Sequence, residues 1–487
     1  MSSRRALAFS FLDRYASLAV GIFTTMVLAR LLSPAEVGIY SVAMALMALA
    51  STVRDMGAGT YLLQEQELTE DRNRAVWTVQ LGLGLLLAAL VAALSAPAAA
   101  FYGEPMVRTI MLVLALNYLV NPLGSVTYAW LMRELRYDAI AVMRFSSTLA
   151  GALVSIALAW RGWGAASLAW GSLVATAVNA AVSVAYRPAG YPWKPGLREI
   201  RRVLSFGSRL TATSVLNTIT ASTPEFLLGK LQSMAAAGFY SRANGLVALF
   251  NRLVTDAAYT VALSLFSKSV RAGEPLAPSF LRAVSYLTVL SWTFSIALAF
   301  LAQPVVSILF GAQWEASVEL TRWLAGAAAL VAPVPLCTAA LVGSGKVRPM
   351  LKTTVLATLS TVCAAAIGTG LGMSALGPCL LAASAVNLAL WLTTTRSCVG
   401  FTWRALGATF KASIGVAICA GAAPLLTTVA LGVSPANPLI ALALGGVGCG
   451  GLMLATLAWL KHPLMEEFRR LGQAILTHVR ALRARWP

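Results

Sequence analysis

The stretch that decides the fold occurs twice in this chain. Residues 30–46 read Arg-Leu-Leu-Ser-Pro-Ala-Glu-Val-Gly-Ile-Tyr-Ser-Val-Ala-Met-Ala-Leu, and residues 230–246 read Lys-Leu-Gln-Ser-Met-Ala-Ala-Ala-Gly-Phe-Tyr-Ser-Arg-Ala-Asn-Gly-Leu. Eight of the 17 positions are identical at an offset of 200, and Arg30 corresponds to Lys230. Each copy forms the turn between two apolar stretches. The pattern predicts two related halves that each begin with a pair of membrane helices.

Apolar stretches of about twenty residues continue from these copies to both ends of the chain. Hydrophobic residues make up 58% of the 487 residues and charged residues only 11%, with a mean hydropathy of +0.76. Soluble proteins carry about 25% charged residues, so the composition excludes a soluble globular protein. Each stretch can cross a hydrocarbon core of about 30 Å. We predict an all-α integral membrane protein with about fourteen transmembrane helices in two pseudo-symmetric bundles around a central cavity.

The distribution of basic residues predicts the orientation. Lys and Arg number 37 against 18 acidic residues, a formal net charge of +19. With a cytoplasmic N-terminus, most of them lie at the N-terminus, in the even-to-odd loops and in the tail, as the positive-inside rule requires. Those towards the opposite face are Arg30, Arg108, Arg161, Lys230 and Arg322. We predict an inner-membrane protein with both termini cytoplasmic and no nucleic-acid partner.

The longest internal loop, residues 187–202, holds three prolines and five basic residues near the middle of the chain. We take it as the linker between the halves. The predicted regions are a six-helix bundle at 1–190, a second six-helix bundle at 191–395, helices 13 and 14 at 396–460, and an amphipathic tail helix at 461–487. Because the first helix of each half leaves the cytoplasm, the halves are parallel repeats about an axis along the membrane normal. Two such bundles with a site between them are a transporter architecture.

No cofactor or metal site is predicted. The six cysteines form no CxxC pair, so we expect neither disulfides nor a metal site. The two histidines, His462 and His478, both lie in the tail, which excludes a histidine proton relay inside the membrane. Apolar residues in the tail recur every three or four positions with arginines between them. This spacing predicts a helix on the inner leaflet that is attracted to anionic membrane lipid.

Ionisable residues within the spans indicate where the functional site lies, because a charge at mid-bilayer costs about 2.5–3.5 kcal/mol. They concentrate in the first two predicted helices of each half, which are helix 1 (about 7–31), helix 2 (37–63), helix 7 (203–229) and helix 8 (235–263). These residues are Asp13, Arg14, Arg54, Asp55, Arg209, Glu225, Arg242, Arg252 and Asp256. In the simplest arrangement these four helices face one another across a polar cavity. The excess is basic, which suits an anionic substrate, and arginine grips phosphate with two hydrogen bonds.

Arg209 and Arg242 are the strongest candidates to line this cavity, because both lie well inside their spans. Arg14 and Arg54 lie within a few turns of the cytoplasmic ends and could equally extend to the membrane surface. Arg252 is a further substrate-binding candidate, although it could instead pair with an acidic residue four positions later on the same helix face.

Charge pairing or coupling to an ion gradient is the role expected of the remaining ionisable residues. Asp13, Asp55 and Asp256 are the acidic candidates, and Arg54 belongs with them through its neighbour Asp55. Glu225, near the outer end of helix 7, could simply face water.

Short motifs at the start of each half resemble a known family. In the first half they are residues 30–40, then Asp55-Met-Gly-Ala-Gly and Leu63-Gln. In the second half they are Phe206-Gly-Ser-Arg-Leu, Leu228-Gly-Lys and Ala236-Ala-Gly-Phe-Tyr-Ser-Arg-Ala. Together these motifs are similar to those of bacterial polysaccharide flippases in the multidrug/oligosaccharidyl-lipid/polysaccharide (MOP) superfamily, nearest to the colanic-acid-exporter-like branch. The family often has an Asp where this chain has Thr223-Pro-Glu-Phe.

This resemblance implies a fold like that of the multidrug (MATE) transporters and a function in surface polysaccharide biosynthesis, whether exopolysaccharide, capsule or O-antigen. It implies that an undecaprenyl-pyrophosphate-linked oligosaccharide repeat unit is flipped across the inner membrane by alternating access. A polysaccharide polymerase and chain-length machinery are the implied partners. The family's cationic cavity residues carry over as a class to Arg14, Arg209, Arg242 and Arg252.

Two other functions are weighed against a flippase. A multidrug or small-molecule exporter of the same fold usually needs acidic or aromatic residues for cationic drugs, and this cavity is basic. A membrane-embedded polysaccharide polymerase or glycosyltransferase commonly carries a sizeable extracytoplasmic loop, and the predicted outer loops are short. A lipid-linked peptidoglycan precursor stays open as a substrate because it presents the same pyrophosphate.

Overall fold

The computed structural model describes residues 3–54, 62, 69–187, 194–430, 438–470 and 473, and their side chains except those of 3–14, 201–212 and 252. The described elements are helices joined by short turns. In the first part of the chain they are α1 (Ser3–Leu31), α2 (Pro34–Arg54), α3 (Glu70–Tyr102), α4 (Pro105–Val120), α5 (Pro122–Arg133), α6 (Tyr137–Trp160), α7 (Ala166–Val184) and α8 (Ile200–Leu231).

The second part begins with α9 (Met234–Phe250), which continues through a π-helical turn (Asn251–Thr255) into α10 (Asp256–Arg271). The helices that follow are α11 (Leu276–Phe300), α12 (Ala302–Leu309), α13 (Ser317–Val331), α14 (Val334–Gly343), α15 (Val347–Leu371), α16 (Met373–Val399), α17 (Trp403–Ala430) and α18 (Pro438–Trp459).

The predicted class, an all-α integral membrane protein, is confirmed. Within the described residues, eleven helices are long and apolar enough to cross a membrane, or twelve if the bent pair α4 and α5 counts as one span. The exact number of fourteen is not reached by this measure. The difference lies in α1 and α8, which have 29 and 32 residues. The part of α1 whose side chains are described, Tyr15–Leu31, is apolar but too short to be counted as a span. The full lengths of α1 and α8 still suit a crossing.

The fourth predicted span is bent by 51° between α4 and α5. Pro122 begins α5, and a proline inside a helix removes one hydrogen bond and clashes with the carbonyl four residues earlier. That carbonyl belongs to Tyr118, and it lies against Gly84 of α3, where an added Cβ would be only 2.4 Å from the oxygen. The bend therefore requires glycine on the neighbouring helix.

Contacts divide the chain into two compact units. The first comprises Met1–Arg242, Leu309–Trp314 and Thr361–Leu376. Its core joins α2, α3, α4 and α7, with apolar residues packed around the buried Tyr118 ring. The hydroxyl of Tyr118 donates to the Met47 carbonyl at 2.9 Å, which satisfies this buried polar group.

The second unit comprises Ala243–Ile308, Glu315–Ser360 and Gly377–Pro487. Its central helix is α11, which packs against α10, α13, α14, α17 and α18. Stacked Phe280 and Phe401 rings, 5.3 Å apart, join α11 to the turn before α17. Because these units are defined by packing alone, the predicted regions 1–190, 191–395, 396–460 and 461–487 stay predictions.

The junction between α18 and the tail is held by His462. Its Nδ1 accepts from the Leu464 backbone N–H at 3.2 Å, and its Nε2 lies 2.7 Å from the Ser285 hydroxyl of α11. Residues 463–470 are helical, as the tail prediction requires, and the rest of the predicted tail helix lies outside the described residues apart from residue 473. Since Nδ1 accepts a hydrogen bond, the ring is neutral and Nε2–H donates to Ser285.

Acidification should weaken this junction, because burial lowers the pKa of His462 below its ordinary value. The unfolded chain, with a histidine pKa of about 6.5, then binds a proton more readily than the folded chain. The stability that neutral His462 contributes is therefore fully present above about pH 6.5 and is lost as the pH falls below that value. We expect the thermal unfolding midpoint of the purified protein to fall from pH 7.5 to pH 5.5, and the fall to shrink in His462→Gln. An equal fall in both proteins would contradict this.

Candidate functional site

The two copies of the sequence repeat begin their helices with the same serine. In α2, Ser33 Oγ accepts from the Glu36 N–H at 3.3 Å, and the Glu36 carboxylate accepts from the Ser33 N–H at 2.8 Å. In α9, Ser233 Oγ accepts from the Ala236 N–H at 3.1 Å. A serine that caps the free N–H groups of the first turn fixes where a helix begins. The same type of serine cap thus begins α2 and α9, at positions 200 residues apart.

Behind these caps the two helices cross in close contact, at what we call the repeat crossing (Pro34, Gly38, Met234 and Gly238). A Cβ added to Gly38 would lie 1.6 Å from the Met234 carbonyl oxygen. A Cβ added to Gly238 would lie 2.1 Å from the Pro34 carbonyl oxygen. Residue 38 thus meets residue 234, and residue 238 meets residue 34. The crossing has the two-fold symmetry that the repeat predicts, and only glycine allows the backbones to approach this closely.

The paired cations of the repeat, Arg30 and Lys230, make contacts of the same kind. Arg30, at the end of α1, donates from Nη1 to the Leu309 carbonyl at 3.1 Å, at the end of α12. Lys230, in the last turn of α8, donates to the Phe101 carbonyl near the end of α3, and its ammonium also lies 4.4 Å from the Phe101 ring centroid. In each case a cation binds the carbonyl end of a helix, where the helix dipole is negative.

Both cations should contribute modestly and similarly to stability. Each exposed contact to a helix C-terminus is worth about 0.3–1 kcal/mol. We expect Arg30→Ala and Lys230→Ala each to lower the thermal unfolding midpoint slightly, and the double variant to show their sum because the contacts share no partner. Arg108→Ala, an exposed arginine of α4, is the control and should not change the midpoint. An effect from only one of the two positions would show that they are not equivalent.

Arg242 lies just beyond the crossing on α9, where the offset of 200 pairs it with Val42. Its guanidinium carbon is 5.3 Å from the Trp314 ring centroid and 5.7 Å from that of Phe310. Trp314 is held in turn by a hydrogen bond from its Nε1 to the Ala29 carbonyl at 2.8 Å. The Nε of Arg242 is buried and has no hydrogen-bond partner among the described residues. Two aromatic faces therefore hold a desolvated cation that still has hydrogen bonds to give.

Glu225 of α8 lies close to a repeat-related pair, Ser41 and Ser241. Its side chain is half-buried, and the Ser41 hydroxyl faces it without an aligned hydrogen bond. From its position in the sequence alone, Glu225 could simply face water. This cluster could have been predicted from the 200-residue spacing of the repeat, because that spacing makes Ser41 and Ser241 equivalent positions.

A hydrogen bond joins α2 and α8 further along these helices. Thr52 of α2 and Thr218 of α8 have their hydroxyl oxygens 2.8 Å apart. These two helices, which are the predicted helices 2 and 7, pack together, as expected for helices that face a common site. The wider arrangement of helices 1, 2, 7 and 8 around a cavity stays a prediction.

Of the remaining predicted residues, Arg54 is half-buried and its guanidinium carbon lies 5.5 Å from the Tyr118 ring centroid. Asp256 begins α10 and is exposed. The π-helical turn immediately before it changes the α-helical spacing on which the predicted pairing of Asp256 with Arg252 relied. Asp55 lies outside the described residues. The positions whose backbone is described without the side chain are Asp13, Arg14, Arg209 and Arg252.

The apolar spans and the repeat crossing belong to a membrane protein, and comparison with known proteins gives its class as a transporter. The fold is similar to that of the lipid II flippase MurJ in an inward closed conformation, with a TM-score of 0.76, 13% identity, and coverage of 94% of this chain and 100% of MurJ. It is also similar to an inward-facing multidrug MATE transporter of the MOP superfamily, with a TM-score of 0.65, 16% identity, and coverage of 79% and 94%. The predicted MATE-like fold is confirmed.

Residues 27–319 match the family described as polysaccharide biosynthesis protein, and the chain belongs to this family. The succinoglycan biosynthesis transport protein ExoT of Rhizobium meliloti is 23% identical over 82% of this chain and 79% of its own length. The lipopolysaccharide biosynthesis protein WzxC of Escherichia coli is 24% identical over 63% of each chain. The resemblance to polysaccharide flippases is therefore confirmed, and the chain is a transporter rather than an enzyme.

Proposed function

We propose that the chain flips an undecaprenyl-pyrophosphate-linked oligosaccharide repeat unit across the bacterial inner membrane by alternating access. Membership in the polysaccharide biosynthesis family carries this proposal. Two relatives are named for succinoglycan transport and lipopolysaccharide biosynthesis, and one solved structure of similar fold is named a lipid II flippase. The names of two polysaccharide biosynthesis proteins and one lipid flippase together support a lipid-linked saccharide as the class of substrate here.

The charge near the repeat crossing supports an anionic head group. We propose that Arg242 binds the pyrophosphate, because its guanidinium is desolvated and retains donors that the rings do not use. Arg14, Arg209 and Arg252 belong to the same proposal on the strength of their positions in helices 1, 7 and 8. For Asp13, Arg54, Asp55 and Asp256 we propose ion coupling or charge pairing.

The orientation and the partners belong to the proposal as well. The bias of basic residues towards one set of loops supports cytoplasmic N- and C-termini. In that orientation the repeat crossing lies towards the outer face, at the first turns of α2 and α9. We propose that the unit released there passes to a polysaccharide polymerase and chain-length machinery.

The test is the pool of lipid-linked oligosaccharide in the native host with this gene deleted, scored for amount and for leaflet. We expect a repeat unit to accumulate on the cytoplasmic face and to disappear when the wild-type gene is returned. An unchanged pool would contradict flipping. Accumulation on the outer face would point to a defect in polymerisation instead.

A multidrug exporter is the second candidate, because the fold also matches a MATE transporter at a TM-score of 0.65. The two aromatic rings of the candidate site are occupied by the Arg242 guanidinium, which argues against cationic drugs as substrates. The same deletion strain separates the two functions. Loss of resistance to cationic dyes with normal surface polysaccharide would support export, and the reverse would support flipping.

A further inference from the structure

A cleft of about 430 Å³ opens at the turn between α16 and α17, well away in sequence from the repeat crossing and Arg242. We call it the turn cleft, and its lining includes Thr393, Arg396, Ser397, Phe401, Thr402 and Trp403. Both flanking helices are candidate membrane spans, so their connecting turn lies at the membrane surface. Tryptophan is enriched at that depth, and Trp403 is 43% exposed.

The turn cleft presents one cation on a rigid support. The guanidinium carbon of Arg396 lies 5.2 Å from the Trp403 ring centroid. Trp403 packs edge-on against Phe401, whose ring is buried against Phe280 of α11. The Arg396 carbonyl accepts from Gly400, whose φ of 83° turns the chain back towards α17. The arginine is thus oriented by its aromatic partner, while its N–H groups remain available to a ligand.

The hydroxyl groups of the turn cleft fit a phosphodiester with its own hydroxyls. Thr402 Oγ1 accepts from the Ala405 N–H at 3.2 Å, which leaves its O–H free to donate to a phosphate oxygen. Ser397 and Thr393 donate to carbonyls of their own helix at 2.8 Å each, so their oxygens can still accept from a ligand hydroxyl. The turn cleft therefore offers hydrogen-bond donors to a phosphate and hydrogen-bond acceptors to the hydroxyl groups of an alcohol.

Nothing nearby in sequence neutralises this site. The chain contains no Asp or Glu between Glu319 and Glu466, whereas Arg396 and Arg404 both flank the turn. Among the described residues no carboxylate pairs with Arg396. Exposed apolar side chains continue along α17, including Ile418 at 62% exposure, and offer a surface to acyl chains. An anionic group attached to an apolar tail would match both parts of this surface.

We propose that the turn cleft binds the phosphodiester head group of an anionic phospholipid of the phosphatidylglycerol type. Arg396 and the Thr402 hydroxyl hold the phosphate, Ser397 and Thr393 accept from the glycerol hydroxyls, and Trp403 orients the arginine. The acyl chains lie along α17. This site is independent of the proposed transport function, because it concerns a resident lipid and not the transported substrate.

The test counts lipids on the purified full-length protein by native mass spectrometry after exchange into detergent with phosphatidylglycerol or phosphatidylcholine. We expect the wild type to retain phosphatidylglycerol, and Arg396→Ala to reduce its occupancy at least fivefold. Phosphatidylcholine binding should be the same in both. Arg404→Ala, which removes a neighbouring exposed arginine outside the lining, is the matched control and should keep the wild-type occupancy.

Equal phosphatidylglycerol occupancy in the wild type and Arg396→Ala would overturn the proposal, as would equal retention of phosphatidylcholine. Two competitors identify the source of the phosphate. Displacement of the lipid by inorganic phosphate at millimolar concentration would reduce the cleft to a simple anion site. Displacement by undecaprenyl pyrophosphate in preference to phosphatidylglycerol would assign the cleft to the transported substrate. Thr402→Val removes the hydroxyl and should weaken phosphatidylglycerol binding, whereas Thr402→Ser, which keeps the hydroxyl that accepts from the Ala405 N–H, should retain it.

Discussion

Gly38→Ala and Gly238→Ala should each abolish surface polysaccharide production, whereas Gly245→Ala should leave it intact. The added Cβ would lie 1.6 Å from the Met234 carbonyl oxygen in the first variant and 2.1 Å from that of Pro34 in the second. Both obstacles are backbone atoms, so no rotamer change relieves the clash and the helices must move apart. Gly245 lies on the same α9 helix as Gly238 and has open space where its Cβ would be.

The measurement is complementation of a deletion strain, with the amount of each variant in the membrane determined in parallel. Overpacking typically costs about 1–3 kcal/mol, so we also expect lower unfolding midpoints for the two crossing variants. Because both glycines serve one contact, the double variant should lose less than the sum of the single losses. Normal polysaccharide production by Gly38→Ala at a normal protein level would show that the crossing is dispensable.

Arg242→Ala should reduce delivery of the repeat unit at least tenfold, and Arg242→Lys should recover only part of the loss. A hydrogen bond to a charged group is worth about 1.5–3 kcal/mol, which corresponds to roughly 10- to 150-fold in binding. Lysine restores the charge over the Trp314 and Phe310 rings but lacks the planar fork that matches a pyrophosphate. The readout is polysaccharide output at matched expression, with Arg108→Ala as a control on an exposed arginine.

A purely structural role for Arg242 must be distinguished from substrate binding, since the residue also packs on two rings. Native mass spectrometry with undecaprenyl pyrophosphate provides that distinction. Loss of binding with an unchanged unfolding midpoint is the expected result for Arg242→Ala. A lowered midpoint with unchanged binding would mean that the arginine only supports Trp314 and Phe310.

The repeat is the part of the site that could be predicted from sequence. The shared Ser33 and Ser233 caps, the matched glycines and the paired cations at 30 and 230 all follow from one alignment of the chain with itself. These features are local or repeat-related, so a pattern in one dimension contains them. The membrane class followed equally directly from the length and apolar character of the spans.

Other parts of the site depend on contacts between distant segments. Arg242 had no visible local partner because Phe310 and Trp314 lie about seventy residues further along the chain. The π-helical turn at Asn251–Thr255 has no sequence signal of its own, since it differs from an α-helix by one inserted residue. The count of spans was harder for a related reason. Polar and charged residues make α8 less apolar than most other spans, and the loops on either side of it contributed to its prediction as a span.

The contact between Gly38 and Gly238 has the geometry of a homodimer interface, in which each copy offers the same patch to the other. The chain thus contains within one polypeptide an interface that a homodimer would form between two. Two copies within one polypeptide can differ, whereas those of a true homodimer cannot. At the same offset, Val42 corresponds to Arg242 and Thr25 to Glu225, so the ionisable member of each pair belongs to the second copy. Both copies have kept the glycines of the crossing, and each carries charges where the other does not, as Glu36 of the first copy does against Ala236 of the second.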